Sequence, residues 1–315
     1  MRYDDTPPPP GPAPPAGTGR PWYARRSTLA VAAATLAPLC LAGWVLTEVA
    51  TGAGPRRMPQ SAPPAPHPAH APGRAADAKA NPAAGPAGTA GAPLTGRTVV
   101  IDPGHNPGNF RHTAEIGRKV DIGTTHKECD TTGTTTGTGY QEAEFTLDVS
   151  RRLRTALEAR GVTVVLTHEA GRPWGPCIDE RARIGNEAGA DAVVSVHADG
   201  ASEGSRGFHV ILPAAVKGGA ADTAGIVGPS RLLGEAIAGN FARTTGSTPA
   251  NYLGGGTGLV VRDDLGGLNL SLRPKVFVEC GNMRDTKDAA LLADARWRQK
   301  AAQGIADGIV GFLGG

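Results

Sequence analysis

Residues 98–105, with the sequence TVVIDPGH, decide the fold. The apolar run predicts a short buried strand that a Pro-Gly turn ends, so that His105 lies at the open end of a sheet, where α/β proteins usually keep their chemistry. The runs Ala192 to His197 and Val276 to Glu279 end in the same way. Three strands that each end in a metal ligand or an acid/base residue predict a metal site on one rim of a sheet.

Strand-like and helix-like segments alternate from Arg97 onward. An amphipathic helix is indicated by apolar residues every four positions from Phe145 to Leu157, and a second one runs from Trp297 to Phe312. The predicted strands are 98–102, 162–167, 192–197, 207–212, 258–261 and 275–279. We therefore predict an α/β fold, with a mostly parallel or mixed twisted sheet covered by helices on both faces, in a single catalytic domain spanning residues 97–315.

The N-terminal part of the chain has a different composition. Of the 27 prolines, 19 precede Arg97, and residues 1–26 form a Pro-rich segment that we predict to be cytoplasmic. Residues 27–50 contain an apolar run long enough to span a membrane, with arginines before it, which predicts a transmembrane anchor or, alternatively, a cleaved secretory signal. Residues 51–96 are rich in Ala, Pro and Gly and predict a disordered linker. The catalytic domain is therefore expected to be extracytoplasmic, membrane-anchored by its N-terminal segment or secreted if that segment is cleaved.

Charge is unevenly placed along the chain. Of 32 Lys and Arg residues 8 precede residue 97, and of 29 Asp and Glu residues 4 do, which leaves 24 against 25 in the domain. The excess of positive charge therefore belongs to the N-terminal part, and the domain has no basic composition typical of nucleic-acid binding. We expect no nucleic-acid partner.

Residues 109–140 are rich in Thr and Gly and show neither a helical nor a strand period, which predicts a long functional or disordered loop. The loop contains Cys129, and Cys177 lies in a second loop. In an exported domain these two cysteines are the natural disulfide pair, worth at most about 4 kcal/mol by chain entropy. Two unpaired thiols are the alternative, and the absence of a Cys-x-x-Cys pair disfavours thiolate zinc.

Zinc hydrolases typically hold the metal with three nitrogen or oxygen ligands and leave one position for water. His105, Glu142 and His197 fill these places, because Glu142 begins the amphipathic helix on its buried side. Glu144 is the alternative ligand, although two residues along a helix it turns away from that side. A lone histidine at a strand end is more often a hydrogen-bonding residue than a ligand, so the prediction depends on the combination.

Four ordered motifs resemble those of the zinc-dependent N-acetylmuramoyl-L-alanine amidases, the amidase_3 family of cell-wall hydrolases. The motifs are DPGH at 102–105, Glu142 with Leu147, SVHAD at 195–199 and VECGN at 278–282. The resemblance spans Arg97 to Gly315, and the loop with Cys129 is similar to that of actinobacterial members.

The resemblance implies hydrolysis of the amide that joins N-acetylmuramic acid to L-alanine in peptidoglycan or muropeptides. It implies one zinc ion per catalytic domain, held by His105, Glu142 and His197, with Glu279 as catalytic acid/base. Substrate-binding roles are expected for Arg262 and Asn282. We expect the chain to act as a monomer.

Two other functions remain compatible with the sequence. One is a zinc peptidase that cuts within the stem peptide, and the other is a catalytically silent wall-binding or regulatory protein. The chain departs from the family at Asp199, where a small residue or Asn is usual, and it has no evident wall-binding repeat. Asp102 is expected either to orient a ligand or to cap its turn.

Overall fold

Six strands form one mixed sheet in the computed structural model, which describes residues 94–169 and 171–314. The strands are β1 (Thr98–Pro103), β4 (Thr163–Leu166), β5 (Ala192–Asp199), β6 (His209–Pro213), β9 (Leu259–Arg262) and β10 (Lys275–Asn282), in the order β4-β1-β5-β10-β6-β9. Two short antiparallel pairs lie outside this sheet, β2 (Lys119–Asp121) with β3 (His126–Glu128) and β7 (Lys217–Gly218) with β8 (Ala221–Asp222). β4, β1, β5 and β10 are parallel, and β6 pairs antiparallel with β10 and parallel with β9. The predicted α/β class with a mixed sheet is confirmed, and each predicted strand lies within a few residues of an observed one.

Seven α-helices are formed by the described residues. They are α1 (Thr113–Ile116), α2 (Glu142–Glu158), α3 (Ile178–Glu187), α4 (Val227–Thr245), α5 (Gly266–Asn269), α6 (Thr286–Ala293) and α7 (Ala295–Gly314). The predicted amphipathic helices correspond to α2 and α7.

The larger core lies between one face of the sheet and helices α2, α4 and α7, where alternate strand residues such as Val99 and Val194 point. α7 approaches α4 closely at Gly308, where an added Cβ would lie 2.5 Å from the Cα of Ile237. The opposite face, with Val100 and Val193, packs against α3. Helices therefore cover both faces, as predicted.

Residues 109–140 were predicted to form a long functional or disordered loop, and the expectation of no regular structure there is wrong. Residues Asn109–Arg111 form a 3-10 turn, α1 follows, and β2 (Lys119–Asp121) and β3 (His126–Glu128) form an antiparallel hairpin. These elements have three or four residues each, too few to show a period in the sequence. The hairpin buries Ile122 in its turn and exposes much of its strands, which hides the usual alternation.

A disulfide joins Cys129, directly after this hairpin region, to Cys177, which directly precedes α3. The backbone makes the same connection, since the Ile178 amide donates to the Cys129 carbonyl over 2.7 Å. The bond therefore links the segment over the sheet rim to the start of α3.

Replacing both cysteines (Cys129→Ala with Cys177→Ala) should lower the free energy of unfolding by up to about 4 kcal/mol, because the open chain gains conformational entropy across a separation of 48 residues. Chemical denaturation of the oxidised wild type and the double variant measures the difference. Wild type treated with reductant should match the variant, and Cys280→Ala, at a buried free cysteine, separates loss of the crosslink from loss of side-chain packing.

The structure describes no helix within residues 94–169 and 171–314 that is long and apolar enough to cross a membrane. The predictions for the Pro-rich segment 1–26, the anchor or signal 27–50 and nearly all of the linker 51–96 lie outside the described residues.

Candidate active site

The predicted histidines and Glu279 come together at one rim of the sheet. His105 follows β1, whereas His197 in β5 lies beside Glu279 in β10 by parallel register. The Gly104 amide donates to the Val196 carbonyl over 2.9 Å, which keeps the exit of β1 against β5. A Cβ at residue 104 would lie 2.3 Å from the His197 ring, so glycine is required there.

Three ligand-type atoms converge in this place. Glu142, the first residue of α2, places Oε1 3.1 Å from His105 Nε2 and 3.0 Å from His197 Nδ1. One ligand atom from each residue lies within 4.8 Å of the others. The structure therefore brings together the three residues predicted as metal ligands, from segments far apart along the chain.

Backbone groups and an aromatic ring hold these side chains in place. His105 Nδ1 lies 3.2 Å from the carbonyl oxygen of Thr131, an acceptor that favours a proton on Nδ1 and leaves Nε2 for a ligand. Glu142 accepts from the amides of Thr134 (2.9 Å) and Ala198 (3.2 Å). The His197 ring stacks on Phe277, with centroids 5.1 Å apart.

The electrostatics of the group favour a cation. Burial alone would raise the pKa of Glu142, but the two neighbouring imidazoles outweigh it and hold that pKa below its usual range. Burial opposes charge on His105 as well, yet the Glu142 carboxylate raises the pKa of His105 to about 9. The buried carboxylate of Glu142 therefore stabilises positive charge at this position.

The donor set fits a divalent metal ion of the zinc type. Two imidazoles and one carboxylate are the nitrogen and oxygen ligands of catalytic zinc sites. Both ring nitrogens face the same carboxylate oxygen, Glu142 Oε1, and a bound cation would be the common partner of all three residues. The bond from His105 Nδ1 to a backbone carbonyl is the usual support of a metal-binding histidine.

Glu279 is partly buried beside the donor set, and its Oε2 atom is fully buried. Its Oε2 atom has no hydrogen-bond partner in the part of the chain that the structure describes. Burial, assisted by the negative charges of Glu142 and Asp199, raises the pKa of Glu279 well above its usual value, and Arg262 partly opposes the shift. A carboxyl group with a free oxygen and a raised pKa is suited to proton transfer near neutral pH.

A cleft of about 230 Å³ contains His105, Glu142, His197, Glu279 and Arg262 in its wall. A second cavity of about 280 Å³ shares three of these residues, His105, His197 and Arg262, and extends below the β2–β3 hairpin to Lys127. The predicted substrate-binding residue Arg262 therefore lies at the wall of both spaces, where its guanidinium pairs with Asp264 at 2.7 Å.

Asn282 was predicted to bind substrate, but its side chain makes structural contacts inside the protein. Its side chain is completely buried, and its amide nitrogen contacts the carbonyl oxygens of Ala201 (3.1 Å), Ser202 (3.1 Å) and Ser205 (2.5 Å). The position at the end of β10 explains the difference, because the side chain fixes the loop after β5 and presents no exposed surface to a ligand.

The remaining candidates lie away from the donor set. Glu144 is exposed on α2, as the helical spacing predicts, and His126 is exposed on β3. His168 is buried, with Nε2 3.0 Å from the Pro103 carbonyl oxygen. Asp102 neither orients a ligand directly nor caps its turn, because its carboxylate pairs with Arg181 at 2.8 Å and lies 3.6 Å from Lys275 Nζ.

Sequence reasoning missed the buried charges and the backbone acceptors near the site. Arg181 and Lys275 are nearly or completely buried, although a charged residue in a helix or at a strand start usually faces water. Thr131 and Thr134 contribute mainly backbone groups to the site, and no side-chain pattern reveals such a role. The only available signal was the position of Arg181 four residues after Cys177, on the first turns of a helix.

A His-Glu-His donor set beside a buried carboxyl, on the rim of an α/β sheet, is an arrangement typical of metal-dependent hydrolases. The family profile described as N-acetylmuramoyl-L-alanine amidase matches residues 99–310. The chain therefore belongs to the N-acetylmuramoyl-L-alanine amidase family, and it is an enzyme of that class.

Individual relatives agree with this assignment. The N-acetylmuramoyl-L-alanine amidase Rv3717 of Mycobacterium tuberculosis is 40% identical over 227 residues, which cover 70% of this chain and 88% of that protein. The crystal structure of the amidase Ami1 from Mycobacterium smegmatis is 41% identical, with a TM-score of 0.64 over 70% of this chain and 98% of the other. Ami1 from Mycobacterium abscessus, solved in its apo form, is 39% identical, with a TM-score of 0.63 over 70% and 99%. The similarity to actinobacterial amidases is confirmed.

Proposed function

We propose that this chain uses zinc to hydrolyse the amide bond between N-acetylmuramic acid and L-alanine in peptidoglycan or in muropeptides. The single observation that carries the proposal is the convergence of His105, Glu142 and His197 next to the buried carboxyl of Glu279. The family assignment and the names of the relatives support the choice of bond.

His105, Glu142 and His197 would hold one zinc ion. When bound, zinc supplies Lewis acidity that polarises the scissile carbonyl. His105 is oriented for this role by the Thr131 carbonyl, and the Glu142 carboxylate is oriented by two backbone amides.

Glu279 is the acid/base in this proposal. Its carboxylate takes a proton from the attacking water, whose oxygen forms a bond to the carbonyl carbon. The carbon–nitrogen bond then breaks, and the same proton passes from Glu279 to the departing amine of L-alanine. Positive charge at the neighbouring donor set would offset the Glu142 charge that raises the pKa of Glu279, and so favours the ionised form before water attacks.

We also propose that the domain, residues 97–315, acts outside the cytoplasm as a monomer, either tethered by the apolar segment 27–50 or released after its cleavage. The composition of segment 27–50 supports export, and so does the Cys129–Cys177 disulfide, because disulfides persist in oxidising compartments. The linker 51–96 would let the domain reach the wall. Arg262 is proposed to contact substrate, since it lies at the wall of both cavities.

Digestion of purified muropeptides followed by mass spectrometry tests the bond that is cut. The expected product is an intact stem peptide with a free L-alanine N-terminus, together with peptide-free sugar. Fragments that begin at a later residue would establish the alternative peptidase activity. Absence of any product from zinc-loaded protein would favour the silent wall-binding or regulatory alternative, which a sedimentation assay with purified wall would then examine.

A further inference from the structure

Arg181 lies beneath the site without reaching the cleft's donor atoms. Arg181 is only 4% exposed, and it is the fourth residue of α3. A guanidinium has five N–H donors, and Arg181 makes five hydrogen bonds. Its acceptors are Pro176 O (2.8 Å) from Nε, Asp102 Oδ1 (2.8 Å) and Pro103 O (2.6 Å) from Nη1, and His105 O (2.9 Å) and Asp130 Oδ2 (2.9 Å) from Nη2.

Two of these acceptors belong to the backbone that carries His105. The carbonyls of Pro103 and His105 both bond to the guanidinium, on either side of Gly104. His105 has φ 60, and within residues 94–169 and 171–314 it is the only residue other than glycine in the left-handed region. A conformation of this kind is strained and persists only where the surroundings impose it. The two hydrogen bonds from Arg181 are made to the backbone directly at this residue.

A third acceptor connects Arg181 to the other side of the same imidazole. Asp130 accepts from Arg181 through Oδ2, and its Oδ1 accepts from the Thr131 amide over 2.8 Å. The Thr131 carbonyl lies 3.2 Å from His105 Nδ1, and the Thr131 hydroxyl lies 3.1 Å from the same nitrogen. One guanidinium therefore fixes both the backbone of His105 and the acceptor that orients its ring.

Charge compensation alone would be a simpler role for Arg181, because Asp102 and Asp130 are both buried. Lys275 offers the comparison. It is a completely buried cation in the same network, 3.6 Å from Asp102, but its ammonium has no hydrogen-bond partner in the described part of the chain and does not contact His105. Loss of Lys275 removes a buried charge and leaves the support of His105 intact.

We propose that Arg181 is a positioning residue that holds His105 in its left-handed conformation and so directs Nε2 toward Glu142 and His197. The inference rests on the proposed zinc function for its consequence, since an imidazole that turns away is lost as a ligand. The hydrogen bonds of Arg181 and the backbone conformation of His105 are formed by the chain itself and do not require zinc.

The test compares Arg181→Lys with Lys275→Met in the full chain. Arg181→Lys keeps the charge but loses the planar fork, since an ammonium cannot replace five fixed donors. Zinc dissociation constants from chelator competition should rise 10- to 100-fold in Arg181→Lys, the range typical when the support of a ligand is lost, and less than threefold in Lys275→Met. Circular dichroism and Tm establish that both variants fold. A Kd for Arg181→Lys within threefold of wild type, or an equal rise in both variants, overturns the proposal.

Two further measurements keep the outcomes decisive. If Arg181→Lys does not fold, Asp130→Asn replaces it, because this variant weakens the link to Thr131 and retains Arg181. A rise of threefold or more in its zinc Kd supports the proposal, and an unchanged zinc Kd overturns it. If wild type itself binds no zinc, the proposed metal function fails independently. The nitrogen chemical shifts of the His105 ring in metal-free protein then decide, since they should change in Arg181→Lys and stay fixed in Lys275→Met, and an unchanged His105 ring overturns the proposal.

Discussion

Exchange of Glu279 for glutamine should lower kcat for muropeptide hydrolysis by about 10²- to 10⁴-fold, the usual contribution of a general acid/base. Glutamine has the same shape and can occupy the same buried place, but it cannot take a proton from water at neutral pH. Zinc content should remain about one ion per chain, because Glu279 is not part of the donor set. Metal analysis and steady-state kinetics on the same preparation measure both quantities.

Glu158→Gln is the control for this experiment. Glu158 ends α2 on the exposed surface, so its exchange alters charge without approaching the cleft, and its kcat should equal that of wild type. If Glu279→Gln retains more than a tenth of the wild-type kcat, Glu279 is not the acid/base. If it loses zinc as well as activity, the result shows that Glu279 supports the metal site itself.

The second large effect is expected from His197→Ala. Removal of one of three donors should reduce zinc content well below one ion per chain at micromolar metal, and activity should fall with it, because three protein ligands are the usual minimum for a catalytic zinc site. The variant also removes the ring that stacks on Phe277, so its fold must be checked by circular dichroism. Metal analysis after gel filtration gives the stoichiometry.

His126→Ala and Glu144→Gln are matched controls, since both side chains are exposed and neither belongs to the donor set. Both variants should retain full zinc content. Wild-type stoichiometry in folded His197→Ala would remove His197 from the ligand set. Loss of zinc from Glu144→Gln would instead show that the helix presents the other glutamate to the metal.

The sheet was largely predictable from the sequence because its central strands are buried on both faces and therefore appear as continuous apolar runs. β1 and β5 are the clearest examples, and their ends identify His105 and His197 as neighbours. The direction of β6 and β9 was not predictable, because strand polarity depends on how the connecting segments cross, and apolar runs carry no information about it. Glu142 could be preferred to Glu144 from the helical period alone, and the structure buries the former and exposes the latter.

The buried charges and backbone acceptors around the site were not predictable for a different reason. Thr134 acts through its backbone amide and Thr131 in part through its backbone carbonyl, and every residue type possesses such atoms. Lys275 begins an apolar strand and could equally have faced water, and only the assembled fold gives it Asp102 as a partner. Asn282 was misjudged because a polar residue beside a site is as suited to fixing a loop as to binding a ligand.

The place of β10 in the sheet has a consequence for how the enzyme accommodates different substrates. Glu279 lies on a strand that is hydrogen-bonded to β5 on one side and to β6 on the other, three positions from the β4 edge of the sheet and two from the β9 edge. Central strands open only with the whole fold, whereas peripheral segments open at low cost. Any adjustment of the cleft must therefore come from movement of the surrounding loops and of the β2–β3 hairpin, while the carboxyl of Glu279 keeps a fixed position.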